Sequence, residues 1–160
     1  MTTKNYPDRK YLGFILIILT AVLCSGCGAK LVRGESPMVR MSELSHQDNN
    51  ISLQLNIRNV NDEPLDIINI DFSLATDEND LCTHVGPVEI NIVANGTETW
   101  SVEVTESEAS KKLLNSLQNG DIKSLSYSLN GSIKTVNDGN LRFEHEGHIY
   151  PLPGRPGHFR

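Results

Sequence analysis

Cys82 and His84 stand two residues apart, a spacing that on a β-strand puts both side chains on one face. Contact between them would set a base beside a thiol, the beginning of nucleophilic chemistry. Nothing cationic or glycine-rich follows to lower the thiol pKa or to build an oxyanion hole, so a small core or half-buried thiol is the favoured reading. A second cluster, Glu144, His145, Glu146 and His148, holds residue types that bind divalent metals. On an extended strand His145 and His148 have opposite parity and point to different faces, and no helical zinc-protease spacing or tetrahedral set occurs. These side chains read as solvated edge-strand groups, and no metal is expected. Asp77, Glu78, Asn79 and Asp80 imitate a calcium loop but lack its glycine and distal glutamate, which leaves an exposed acidic loop.

Asn59, Asn61, Asp62 and Asp66 could hydrogen-bond a sugar or a partner chain. Asn and Asp more often stabilise turns by bonding their own backbone, and that reading is preferred. The segment from Pro151 to Arg160 holds three prolines and two glycines in ten residues. It could present a rigid extended ligand to a partner groove, or pack as a strap along its own domain with Tyr150, Leu152 and Phe159 covering core edges. The strap is favoured. No catalytic residue is assigned and no cofactor is called for.

The chemistry with the clearest pattern lies near the amino terminus. Residues 1–10 are polar with a positive balance, and residues 11–23 form an apolar run. Ser25 and Gly26 then precede Cys27, completing the three regions of a secretory signal. The run is too short for a bilayer span, which takes about 20 residues. Cys24-Ser25-Gly26-Cys27 resembles the bacterial lipobox, with Cys24 where leucine is usual and Leu23 one place early. The resemblance implies cleavage before Cys27 and a lipid on its thiol. An uncleaved signal anchor is the alternative, and either way the domain would be exported and tethered to a membrane. Gly28 in place of aspartate after the lipid cysteine implies transfer to the outer membrane, facing the periplasm.

Cleavage would take Cys24 away with the leader and leave Cys82 as the only unmodified thiol, so no disulfide framework can form. The 160 residues suffice for one domain with one core, and 38% hydrophobic with 21% charged residues fits a folded domain. Formal net charge is -6 overall, and -8 once residues 1–26, with Lys4, Arg9 and Lys10 against Asp8, are set aside. Such a charge repels phosphate backbones, so nucleic acid is not an expected partner. It also repels anionic headgroups, so the domain should stand off the membrane.

Period-two alternation dominates the elements that would position these groups. Ile51, Leu53, Leu55 and Ile57 form one strand, and Ile68, Ile70, Phe72 and Leu74 are expected to point inward from a second. Leu81 to Val85 reads as a third segment, followed by Val88, Ile90 and Ile92. Ala94-Asn95-Gly96-Thr97 turns into Trp100, Val102 and Val104. Thr105 with Glu108 is a capping-box signature, and Ala109, Leu113 and Leu117 recur at helical spacing before Gly120 caps the end. Leu125 to Ile133 reads as one strand with a bulge at Gly131, and Asn137-Asp138-Gly139 as a hairpin into Leu141 and Phe143. Residues 28–50 lack a clear period, although Pro37 to Met41 could be an early strand. Spacing and alternation together predict a mainly β antiparallel sandwich, immunoglobulin- or fibronectin III-like, with about seven strands and one short helix. The divisions are a signal peptide at 1–26, a lipid-anchored tether at 27–39, the sandwich at 40–150 and the tail at 151–160.

Several signals occur in a recognisable order. Leu55 to Asn61 is a strand ending in an Asn-rich turn, and Pro64 to Ile67 leads into Ile70 to Leu74. Ala94 to Thr97 precedes a Val-rich strand, Lys112 to Leu117 is a helix closed by Gly120, and Tyr127 to Ile133 follows. Over roughly residues 40–150 the set resembles the late embryogenesis abundant type 2 family, the water-stress and hypersensitive-response domain. The resemblance implies a seven-stranded sandwich with one helix and no accepted catalytic residues. Together with the lipobox and the lack of a catalytic set, it favours a non-catalytic lipoprotein that binds or shields envelope components under desiccation or osmotic stress; the alternative is an adaptor docking an envelope protein through a sandwich edge or the proline-rich tail.

Overall fold

The computed structural model describes residues 34–47, 49–77 and 79–160. The signal peptide, Cys24, Cys27 and most of the tether lie outside the described residues. Among the described residues no helix is long and apolar enough to cross a membrane.

Two four-stranded antiparallel sheets face each other. The first, sheet A, is built from β1 (Met38–Gln47), β2 (Asn50–Arg58), β5 (Thr97–Thr105) and β8 (His158–Phe159), in the order β5-β2-β1-β8. The second, sheet B, holds β3 (Leu65–Ala75), β4 (Asp80–Ile92), β6 (Leu125–Thr135) and β7 (Asn140–Ile149), in the order β4-β3-β6-β7. Ile51, Leu53, Leu55 and Ile57 on β2 are all fully buried, so this alternation survives intact in the core. β1 begins at Met38 with Val39 already buried, inside the stretch expected to be tether. A bulge between Met41 and Glu43 explains why β1 shows no clear period. The extra residue moves the inward face from odd positions, with Val39, to even positions, with Leu44.

A second bulge, between Ile67 and Asn69, corrects the expected face of β3. Ile70, Phe72 and Leu74 point inward as expected, but beyond the bulge the buried residues are Leu65 and Ile67, and Ile68 is exposed. β4 is one continuous strand rather than two segments. It tolerates Pro87 because it lies at the edge of sheet B, where a missing N–H need not break a ladder.

The helix α1 (Glu108–Asn119) starts two residues later than expected. Ser107, not Thr105, is the N-cap: its Oγ accepts from the Ser110 N–H at 3.1 Å, while Thr105 closes β5. The buried face accordingly carries Ser110, Leu114 and Leu117, and Ala109 is exposed. Ser110 is tolerated inside because its hydroxyl donates to the Leu81 carbonyl at 2.8 Å. Gly120 is the C-cap as expected, with φ of 82° and its N–H bonded to Leu117 O.

β6 runs without interruption through Gly131, and its pairing shows no bulge there. Glycine is needed instead for close approach: a Cβ would lie 2.5 Å from Phe143 Cζ and also against the Asp71 carbonyl. The expected hairpin at Gly139 is present, with φ of 78° and Thr135 N donating to Gly139 O. An eighth strand comes from the tail. Phe159 pairs with Leu44 and is fully buried, Gly157 O accepts from His46 N, and Tyr150 and Arg160 exchange backbone hydrogen bonds. The tail is a strap on its own sandwich.

Candidate functional site

Cys82 is buried on β4 among core side chains, and burial pushes its thiol up to about 12. It is therefore a neutral thiol near neutral pH and a poor nucleophile. His84 shares its face but stacks on Phe72, with centroids 5.7 Å apart, and meets Trp100 edge-on at 5.2 Å. The imidazole thus belongs to an aromatic cluster beside the β4–β5 border.

His145 and His148 diverge as their parity requires. His145 turns inward against Tyr127 at 6.1 Å, whereas His148 stacks on Tyr150 from the exposed face. Among the described residues no group of three metal-ligating side chains comes together. In the acidic loop, Thr76 N and Oγ1 both donate to the Asn79 carbonyl, an internal clamp.

The Asn-rich turn is structural. Asn59 is fully buried, and its Nδ2 donates to the carbonyls of Glu63 at 2.7 Å, Val93 at 3.2 Å and Ile92 at 3.3 Å. Its Oδ1 accepts from Asn61 N at 3.0 Å. Asn61 in turn grips the backbone of Glu35 on both sides, Asp62 accepts from Asn95, and Asp66 accepts from Asn91. Asn59, Asn61 and Asp62 thus fasten the start of β1 and the β4–β5 turn to the end of β2, and Asp66 ties β3 to β4.

A different surface offers its charges to solvent. β8 covers β1 only at Leu44 and Ser45, so from Met38 to Glu43 the edge of sheet A has no strand beside it among the described residues. A groove of about 230 Å³ runs along this edge, between Ser36 to Arg40 on one side and Arg142 to His145 on the other. Met38 and Arg40 also line an adjoining depression of about 170 Å³ with Asn56, Arg58 and Thr97. Arg40 and Arg142 are exposed, and among the described residues neither they nor Arg58 lie in an ion pair. Burial first, and the Arg40 guanidinium second, hold His145 below the usual histidine range. Burial raises Tyr127, and Arg40 works against that rise, so the guanidinium stands within electrostatic reach of both rings.

Sequence reasoning did not single out these arginines, because each lies alone on a different strand. It also missed a buried pair at the opposite end of β1. His46 Nδ1 lies 2.6 Å from Glu106 Oε1, and the Glu106 side chain is only 1% exposed. The two atoms are close without hydrogen-bond alignment, and among the described residues neither has another partner.

No family model matches the sequence, and neither does any curated protein. Solved structures are similar to this chain. The solution structure of AT1g01470 from Arabidopsis thaliana aligns with a TM-score of 0.56 at 13% identity, over 84% of this chain and 94% of that one. A solution structure described as that of a late embryogenesis abundant protein, At2g46140.1, aligns over 97% of this chain and 98% of its own, at 14% identity and a TM-score of 0.48. A crystal structure of a protein from Archaeoglobus fulgidus gives 11% identity and a TM-score of 0.43, over 71% and 95%.

Proposed function

We propose that this late embryogenesis abundant type 2-like sandwich is a non-catalytic, lipid-anchored module that binds or shields envelope components under desiccation or osmotic stress. The fold implied by the order of its residues is the fold observed. The observation that carries the non-catalytic reading is the engagement of its reactive groups by the fold. Cys82 is held as a neutral thiol, His84 is packed among aromatic rings, and Asn59 spends its amide on backbone carbonyls. The anchor is carried by Cys24-Ser25-Gly26-Cys27, and Gly28 favours the periplasmic face of the outer membrane.

Two measurements test this. Metabolic labelling with palmitate should mark the wild-type chain and not a Cys27→Ala chain; equal labelling would end the anchor reading. A deletion strain should survive drying and rehydration less well than its parent, and wild type should restore survival where Cys27→Ala does not. Equal survival of deletion and parent would end the stress reading.

The adaptor reading has its own observation, the edge of β1 that no strand covers among the described residues. With the proline-rich tail closing sheet A, docking falls to that edge. Cross-linking in detergent-solubilised envelope should then join a stoichiometric partner to β1, and the product should disappear in an Arg40→Glu strain.

A further inference from the structure

We infer that the edge of β1 from Met38 to Glu43, framed by Arg40 and Arg142, binds an extended acidic segment of another protein by strand addition. This deepens the reading of the sandwich as a binding module and rests on it. Three features lead to it.

The first is the edge. β1 is hydrogen-bonded along its length to β2, but among the described residues its other side meets only the two residues of β8. An incoming strand would find unpaired backbone groups there, ended on one side by β8 and by the bulge between Met41 and Glu43. The second is room. The groove between β1 and β7 runs beside this edge, so a chain added to sheet A would lie along it rather than against a closed wall.

The third is charge, which selects the occupant. The chain carries a net charge of -6, yet among the described residues this groove sets Arg40 and Arg142 against the single carboxylate of Glu144, and Arg58 lies with Arg40 in the adjoining depression. Pro37, Met38, Val39 and Phe143 give the groove an apolar floor. Guanidinium groups present a planar fork of donors that matches a carboxylate. Successive residues of a strand alternate faces, so the fitting segment carries Asp or Glu at alternate positions and small apolar residues between them. A second copy of this chain fits less well. Two β1 edges paired antiparallel would set cationic side chains against each other, and like charges directly opposite are destabilising.

The test uses the full chain in detergent and a random library of peptides about ten residues long. Retained peptides are expected to be enriched in Asp and Glu at alternate positions. The best of them should perturb backbone amide signals of residues 38–43, lose binding when its alternate amides are N-methylated, and weaken as salt rises. An Arg40→Gln, Arg142→Gln double variant should weaken it about tenfold, as losing two charge-assisted contacts would. Both side chains are exposed, so an unchanged melting temperature will show that the variant folds. Enrichment of basic peptides, no enrichment, or binding indifferent to N-methylation would overturn the inference. So would a dimer that buries these amides. Drying survival is measured separately, so a failed peptide screen with intact stress protection discards the edge assignment alone.

Discussion

Leu44 and Phe159 face each other across the pairing of β1 with β8, and neither exposes any surface. More than a hundred residues of chain separate them, so this contact joins the tail to the start of the domain. Phe159→Ala should cost about 3–5 kcal/mol in denaturant unfolding, the range for large aromatic truncations in a core. The His46 amide, which donates to Gly157 O, should also exchange faster with solvent. A loss below about 1 kcal/mol would mean that the strap is dispensable.

Gly131 is a position where even one methyl group is too many. Gly131→Ala should destabilise by about 1–3 kcal/mol, the usual cost of overpacking. Trimming the obstructing ring with Phe143→Leu should recover part of that loss when the two changes are combined. Strict additivity in this double-mutant cycle would show that the two side chains do not collide.

Asn59 serves three carbonyls with one amide. Asn59→Ala removes those donors from a buried site and should cost about 1–3 kcal/mol. Asn59→Asp keeps the shape but turns a carboxylate toward carbonyl oxygens, so it should be the worse of the two. Thermal unfolding of both variants decides the order.

His145 links stability to pH with a definite sign. Its folded-state pKa is lowered, so the unfolded chain binds the proton more readily. The contribution is complete above the ordinary histidine range and is lost as pH falls through it. Stability of the wild type relative to His145→Gln should therefore decline on acidification from about pH 7 to pH 5. Relative stability that rises across this interval would contradict the placement of the ring beside Tyr127 and Arg40.

Cys82 gives the opposite slope. Its pKa rises from 9.0 to about 12 on folding, so its contribution is lost as pH climbs through that interval. Compared with Cys82→Ala, the wild type should lose stability more steeply in alkali. Iodoacetamide should label the native thiol slowly and the unfolded chain quickly. Rapid labelling of the native protein at neutral pH would reopen the case for a reactive thiol.

Much of this architecture could be read from residue order, and the gaps have physical causes. β2 alternates without interruption, so its inward face was legible, as were the Gly120 cap and the Gly139 turn. β1 and the start of β3 were obscured because single-residue bulges reverse the parity on which pattern reading depends. The helix start was misplaced because Thr105 and Ser107 are both good caps, and only the end of β5 decides between them. β8 spans two residues, too few to show a period. The candidate surface was illegible for another reason: Arg142 shares a groove with Arg40 only because β7 of sheet B lies beside β1 of sheet A, a packing that no spacing in the sequence encodes.

Pro87 sits on the outer rim of sheet B, where it leaves a gap in the row of donors that an edge strand presents. Sheets grow from molecule to molecule by copying such rows, and they do so more readily as solvent is withdrawn and neighbours crowd together. At β4 that copying meets a residue that cannot donate, flanked by Gly86 and followed by the exposed carboxylate of Glu89. Concentrated molecules are thereby discouraged from fusing into fibres along this rim.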